Sequence, residues 1–178
     1  MVLRSFAVLF LFTSNAFASD WTIVPDRSQL TFEGTQAGTS FQGSFADFST
    51  AITLDPTDLE NSSISVEIVT ASATSGSAER DGALPGADWF DVATHPTASF
   101  VSSFVTKTDA GYAAEGALTI KGTTHPVTLP FSLDIDGDEA TAAGSLTIDR
   151  NDYGIGTGPL GPMVGTEVAI SFDLVATR

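Results

Sequence analysis

The sequence lacks cysteine and is poor in positively charged residues. None of its 178 residues is cysteine, and seven Lys and Arg stand against 22 Asp and Glu. Disulfides and thiolate metal sites are therefore excluded. The formal net charge of −15 repels nucleic acid and anionic lipid headgroups, so neither is expected as an electrostatic partner. A domain without disulfides must be held together by its hydrophobic core.

Histidine is also scarce, since only His95 and His125 are present and each precedes a proline. They do not form a metal-ligand spacing with one another. The aspartates at positions 134, 136 and 138 lack the downstream glutamate of a calcium loop, because position 145 is serine. Motifs for a nucleophilic serine, a phosphate loop or a dinucleotide site are missing as well. We therefore expect no metal site, no cofactor and no catalytic residues.

The only long apolar run stands at the N-terminus. Residues 1–18 carry one positive charge, Arg4, then an apolar run from Phe6 to Phe12, and they end in Ala16-Phe17-Ala18. This pattern is typical of a secretory signal peptide with an A-x-A cleavage site, and the run is too short to span a bilayer. We expect cleavage before Ser19, and we expect residues 19–178 to form one domain in a bacterial periplasm.

Alternation of apolar and polar residues dominates the rest of the chain. Ile64, Val66 and Ile68, for example, alternate with Ser65 and Glu67. A period of two predicts strands with one buried face, and eight or nine such segments follow one another. Short polar turns that contain glycine predict antiparallel hairpins between them. The fold class is therefore all-β, an antiparallel β-barrel of about eight strands, because closure removes the sheet edges.

The segment from Thr70 to Val101 is too long and too apolar at one end for a hairpin loop. We expect a short helical turn over Glu79–Leu84, ended by Pro85-Gly86, and a second turn that carries Trp89 and Phe90. Two neighbouring aromatic side chains need a cavity to fill, so the segment should pack into the mouth of the barrel. It is either a plug that completes a solid core or a lid over an apolar pocket.

Two clusters of opposite charge lie beside apolar residues, Arg80-Asp81 and the run from Asp149 to Asp152 that contains Arg150. We interpret both as ion pairs that fasten the helical segment to the barrel wall, with no part in catalysis.

Phenylalanine is abundant, with 13 residues in the whole sequence, and small residues such as Gly43 and Gly144 share the same strand faces. After the helical segment, the alternation places Phe100, Ser102 and Phe104 on one face. An interior of this composition is either tightly filled or leaves a channel that accepts an uncharged hydrocarbon chain. The residues expected to contact such a ligand are Phe32, Phe41, Phe45, Ile64, Trp89, Phe90, Phe100, Leu118, Ile120 and Phe131.

Several motifs, taken together, resemble one family. They are Asp26-Arg27-Ser28-Gln29-Leu30-Thr31-Phe32, Phe41-Gln42-Gly43-Ser44-Phe45, Leu54-Asp55-Pro56, Arg80-Asp81 with Leu84, Asp88-Trp89-Phe90-Asp91, His95-Pro96 with Phe100, the run Gly116 to Val127, Asp149 to Gly154, and Val164-Gly165 with Val168. In order and spacing they are similar to the YceI-like family of bacterial exported lipid-binding proteins. The resemblance implies an extended, lipocalin-like barrel whose interior holds a long isoprenoid chain, such as a polyprenyl phosphate or a quinone tail, or another amphiphile, and it implies no catalytic residue.

One departure from the family pattern concerns the first motif. Many relatives carry a histidine just before its serine and another a few residues after its phenylalanine, whereas this chain has Arg27 and the run Glu33 to Gln36 there. This variant resembles the branch that accompanies membrane cytochromes b. A carrier of an isoprenoid lipid, a quinone-binding accessory to such a cytochrome and an enzyme that acts on a lipid headgroup are the three functions left open. A homodimer is left open too.

Overall fold

Eleven β-strands and one short α-helix make up most of the regular structure in the computed structural model, which describes residues 19–178. The expected signal peptide, residues 1–18, lies outside the described residues. The strands are β1 (Asp20–Ile23), β2 (Gln29–Gln36), β3 (Thr39–Phe45), β4 (Phe48–Thr53), β5 (Ser63–Val69), β6 (Ala73–Thr74), β7 (Thr97–Thr108), β8 (Gly111–Ile120), β9 (Thr123–Asp136), β10 (Glu139–Asp149) and β11 (Glu167–Thr177), and the helix α1 spans Ala78–Ala83. Within residues 19–178, helices are too short for a membrane span.

Eight of the strands close into a barrel. Their order is β1-β4-β5-β7-β8-β9-β10-β11, and β11 pairs back with β1 at Thr22–Thr177 and Ile23–Ala176. Every pairing in the ring is antiparallel. The strands β2, β3 and β6 extend β1, β4 and β5 across short bends, so each pair behaves as one long bent strand. The predicted antiparallel barrel of about eight strands is confirmed.

Tight turns join β7 to β8, β8 to β9 and β9 to β10, in agreement with the predicted hairpins. Between β8 and β9 the chain turns on Lys121 and Gly122, whose φ angles are 49° and 74°. Both angles are left-handed, as a type I′ turn requires, and glycine adopts such an angle without steric cost. The twist of this turn matches that of the strands, and it fixes their register at Ile120–Thr123.

A β-bulge in β7 overturns the prediction that Phe104 shares a face with Phe100. The register against β8 shifts between Ser102 and Phe104. One extra residue in a strand reverses the alternation beyond it, because successive side chains point to opposite faces. Phe104 is therefore 47% exposed on the outside, while Val105 takes the inward position and is 4% exposed.

The segment between β6 and β7 begins as predicted and then departs from helix. The helix α1 lies where a helical turn was expected, and Pro85-Gly86 follows its end. The residues after it form successive turns, in which the Trp89 N–H donates to the Gly86 carbonyl at 2.9 Å. The Gly156 N–H donates to the Asp88 carbonyl at 2.6 Å, which ties this segment to the loop before β11. The loops on both sides of the barrel mouth are thus joined to each other.

Candidate ligand-binding site

The barrel interior contains an apolar cavity of about 160 Å³, here called the inner cavity. A single water molecule needs only about 10–15 Å³ on this scale, so the space is much larger than a packing defect. Every residue in its wall is buried or partly buried. Among them are Trp21, Leu30, Phe48, Ile52, Ile64, Phe100, Leu118, Phe131, Ala142, Leu146, Phe172 and Leu174.

Hydrogen-bonding side chains are almost absent from the inner cavity. The Trp21 indole N–H is already used, because it donates to the Leu54 carbonyl at 2.9 Å. The Thr50 hydroxyl oxygen is buried and has no hydrogen-bond partner among the described residues. Apolar cavities of this kind stay dry and accept apolar guests, since water would find too few polar partners.

A second cavity of about 110 Å³, here called the mouth cavity, continues the first toward the surface. The two cavities share four wall residues, Phe45, Phe90, Ile120 and Ile170. The remaining wall of the mouth cavity includes Phe32, Phe41, Trp89, Ile148, Ile155 and Val168. Glu79 and Leu160 also line it, and both are exposed, so the cavity reaches solvent between α1 and the loop before β11.

All the residues predicted to contact a ligand lie in the walls of these cavities. Ile64, Phe100, Leu118 and Phe131 line the inner cavity. Phe32, Phe41 and Trp89 line the mouth cavity, and Phe45, Phe90 and Ile120 line both. Their contact with a ligand remains a prediction. Trp89 and Phe90 are partly buried and pack against the core, Trp89 in the wall of the mouth cavity and Phe90 in the walls of both cavities.

Close packing around glycine shapes the wall between the two cavities. The rings of Phe32 and Phe45 lie 5.2 Å apart between centroids, and the ring of Phe90 lies 6.0 Å from that of Phe45. Gly43 faces this cluster, and a Cβ atom there would collide with the Phe32 ring. Because Gly43 has no side chain, the Phe32 ring can pack directly against the backbone of this strand.

Arg150 fastens the loop at the mouth, but not through the ion pair that was predicted. Its side chain is 4% exposed and donates to the carbonyls of Gly165, Ile155, Gly156, Gly161 and Val164 at 2.6–3.3 Å, and to the Asn151 side-chain oxygen at 3.2 Å. Within residues 19–178, no carboxylate lies at salt-bridge distance from it. The loop folds around the guanidinium because the five N–H donors satisfy carbonyls that would otherwise be buried unpaired.

Arg80 is likewise not paired with Asp81 as predicted. It donates to Ser75 and Gln36, while the Asp81 carboxylate accepts from the Ser75 backbone N–H and hydroxyl, both at 2.7 Å, and from the Thr74 hydroxyl at 2.9 Å. These hydrogen bonds, chiefly those from Ser75, lower the pKa of Asp81 below its ordinary 3.8. Asp81 thus organises the start of α1, and Arg80 is left directed toward the mouth cavity.

Sequence reasoning missed part of the wall. Gln36 and Ser75, which position Arg80, belong to no recognisable motif. Ile170 and Phe172 of β11 alternate with Ser171 and Asp173, which indicates a buried strand face but not that this face borders an empty space. Clusters of His, Asp or Glu that could hold a metal ion are not found within residues 19–178.

The fold and its cavities define a class, that of eight-stranded antiparallel barrels with an interior wide enough for one small or thin ligand. Comparison with known proteins narrows this class. The sequence pattern of the YceI-like domain matches residues 21–176. A UPF0312 protein of Pseudomonas savastanoi pv. phaseolicola is 32% identical over 194 residues, which cover 100% of both chains. The chain therefore belongs to the YceI-like family, and the resemblance seen in its motifs is confirmed.

Solved structures show the same architecture. The crystal structure of BcnA from Burkholderia cenocepacia is 34% identical and superposes with a TM-score of 0.82, over 87% of this chain and 99% of that one. A polyisoprenoid binding domain from Saccharophagus degradans is 16% identical, with a TM-score of 0.70 over 91% of this chain and 99% of that one. At such low identity the second comparison establishes the shared fold alone.

Proposed function

We propose that this protein binds a long-chain isoprenoid lipid inside the barrel and carries or sequesters it in the periplasm, without a reaction of its own. The observation that carries the proposal is the inner cavity, whose wall is almost entirely apolar and which continues through the mouth cavity toward solvent. A linear chain of small cross-section suits two connected cavities whose shared wall includes the rings of Phe45 and Phe90. The polyisoprenoid binding domain of similar fold supports this choice of ligand class.

The physical basis of binding would be removal of the chain from water. Each buried methylene contributes about 0.8 kcal/mol, so a long chain needs few polar contacts to be held. The wall offers few, with one unpaired hydroxyl in the inner cavity. The wall of the inner cavity shields a lipid chain and has no acidic, basic or histidine side chain, which is why we propose a carrier rather than an enzyme.

The proposal is tested by extracting the lipid from protein purified from a bacterial periplasmic fraction and identifying it by mass spectrometry. We expect an isoprenoid, and we expect the purified chain to begin at Ser19. Phe45→Asp places a charge between the two cavities and should abolish lipid retention, because an unpaired buried charge is strongly unfavourable.

Phe104→Asp is the matched control, since the same change falls on a side chain that is 47% exposed outside the barrel. It should keep both the fold and the lipid. The proposal fails if the wild type carries no lipid and binds no added isoprenoid, or if folded Phe45→Asp retains as much lipid as the control.

A further inference from the structure

Neither of the two arginines in the wall of the mouth cavity lies at salt-bridge distance from a carboxylate of residues 19–178. Asp81 is nevertheless near Arg80, since the pKa of its carboxyl group is lowered chiefly by hydrogen bonds from Ser75 and also by the charge of Arg80. Within residues 19–178, ion pairs join Arg27 to Glu139 at 2.7 Å and Arg178 to Asp138 at 3.4 Å, both with substantially exposed side chains. Arg80 and Arg150 line the mouth cavity and form no such pair. Arg80 is partly buried and Arg150 is buried, and the hydrogen bonds of both side chains go to uncharged acceptors.

Hydrogen bonds hold the Arg80 guanidinium in place and leave some of its N–H groups unused. Its Nε donates to the Ser75 hydroxyl at 3.0 Å, one terminal nitrogen to the Gln36 side-chain oxygen at 3.0 Å, and the other to the Ser75 carbonyl at 3.3 Å. Its guanidinium carbon lies 4.4 Å from the centre of the Phe41 ring. A guanidinium has five N–H groups, so two remain for a further acceptor. Stacking and hydrogen bonds hold the group in one orientation, which reduces the entropy lost on binding.

Arg150 adds positive charge behind Arg80 without offering a free donor. Its acceptors are five backbone carbonyls and one side-chain amide oxygen, all of them neutral. Because its side chain is only 4% exposed, its charge is weakly screened by water. The exposed Glu79 at the outer rim is surrounded by solvent, where its opposing charge is screened far more.

Polarity therefore falls from the mouth inward. The mouth cavity contains the side chains of Gln36, Ser75 and Arg80, whereas the inner cavity contains little besides hydrocarbon and aromatic groups. An amphiphile that enters tail first would leave its head beside Arg80. The head of the ligand would then lie in the mouth cavity and its chain in the inner cavity.

We propose that the mouth cavity is an anion site, which binds the terminal phosphate or carboxylate of a lipid whose chain fills the inner cavity. Arg80 donates to the anionic oxygens, and Arg150 contributes buried positive charge. This inference rests on the proposed lipid-binding function and narrows it, because an uncharged head such as a quinone would gain much less from the two arginines.

Three probes with one common chain test the inference: geranylgeranyl phosphate, geranylgeranoic acid and geranylgeraniol. Binding is followed by tryptophan fluorescence, to which Trp89 in the mouth cavity and Trp21 in the inner cavity both contribute. We expect the wild type to bind the phosphate or the acid at least about tenfold more tightly than the alcohol, and the better of the two anions identifies the head. Arg80→Gln should weaken that anion about tenfold, equivalent to about 1.4 kcal/mol, and leave the alcohol unchanged.

Arg80→Lys keeps the charge without the fork of donors, and it should recover part of the lost affinity. Arg27→Gln is the matched control, since it removes an arginine from a surface ion pair, and it should behave as the wild type. Circular dichroism establishes that each variant is folded. If the wild type binds the alcohol and both anions with equal affinity, the inference is overturned but the proposed function is not. The same holds if Arg80→Gln and Arg80→Lys lose affinity equally for all three probes. Failure of all three probes to bind the wild type overturns the proposed function and this inference with it.

Discussion

Filling the inner cavity with a protein side chain should prevent a long ligand from entering it. Ala142 on β10 lines this cavity and lies opposite Leu133 and Leu174, which line it too. The next residue, Ala143, is on the other face of the strand, opposite Ser132 and Asp173. The substitutions Ala142→Phe and Ala143→Phe therefore add the same ring to neighbouring positions, one inside and one outside.

The size of the effect follows from the apolar volume that the ring occupies. A phenyl group takes the place of about six methylene-sized groups of ligand, and each contributes about 0.8 kcal/mol when buried. The loss in binding free energy should approach about 5 kcal/mol, which corresponds to a dissociation constant on the order of a thousandfold higher. This is an upper limit, because a flexible chain can withdraw part of its length from the cavity.

The assay is a titration of both variants with prenols of increasing chain length, monitored by tryptophan fluorescence. In Ala142→Phe, affinity should stop rising with chain length once the tail reaches the ring, whereas in Ala143→Phe it should rise as in the wild type. The ligand-free stability of Ala142→Phe should be unchanged or higher, since the ring enters an empty space. If both variants bind the longest prenol with wild-type affinity, the inner cavity is not the site of the chain.

Four other predictions concern single features of the fold. Thr50→Val should stabilise the ligand-free protein by about 1 kcal/mol in urea unfolding, because it removes a buried hydroxyl without a partner; a lower stability would mean that the hydroxyl is satisfied in solution. Arg150→Met leaves several buried carbonyls unpaired, at a cost of about 1–3 kcal/mol for each, so it should lower the stability in the same assay by at least about 3 kcal/mol. A cost below about 1 kcal/mol would argue against the fastening role of this residue. Because its pKa is lowered, Asp81 contributes stability that is present above pH 3.8 and lost as pH falls through the lowered pKa. Melting temperatures of Asp81→Asn should then fall less between pH 7 and pH 3 than those of the wild type, and parallel curves would contradict this. Replacing both Trp89 and Phe90 by alanine should speed lipid release while the barrel still folds, as stopped-flow release and circular dichroism can measure; an unfolded double variant would instead identify these rings as essential core.

The positions of the aromatic side chains show how far the alternating pattern can be followed. It places Phe45, Phe100 and Phe131 on the inner wall, where the structure has them, because a strand of period two has only two faces. It fails at Phe104, since the extra residue of a β-bulge has no signature in the apolar pattern. The same pattern also predicts the side chains of the wall without indicating whether they meet, so a filled core and a cavity look alike in the sequence.

The sequence-based prediction differs most from the structure at Arg80 and Arg150. Their neighbours in the sequence are aspartates, which suggested local ion pairs, yet Arg80 reaches Gln36 across 44 positions and Arg150 binds carbonyls up to 15 positions away. Composition and alternation alone determined an antiparallel barrel with an apolar interior, because burial of one face of each strand depends only on local residue order. The empty volume, its opening to solvent and the two arginines in its wall were decided by the tertiary structure, because each depends on how far apart the closed strands and the covering loops hold their side chains.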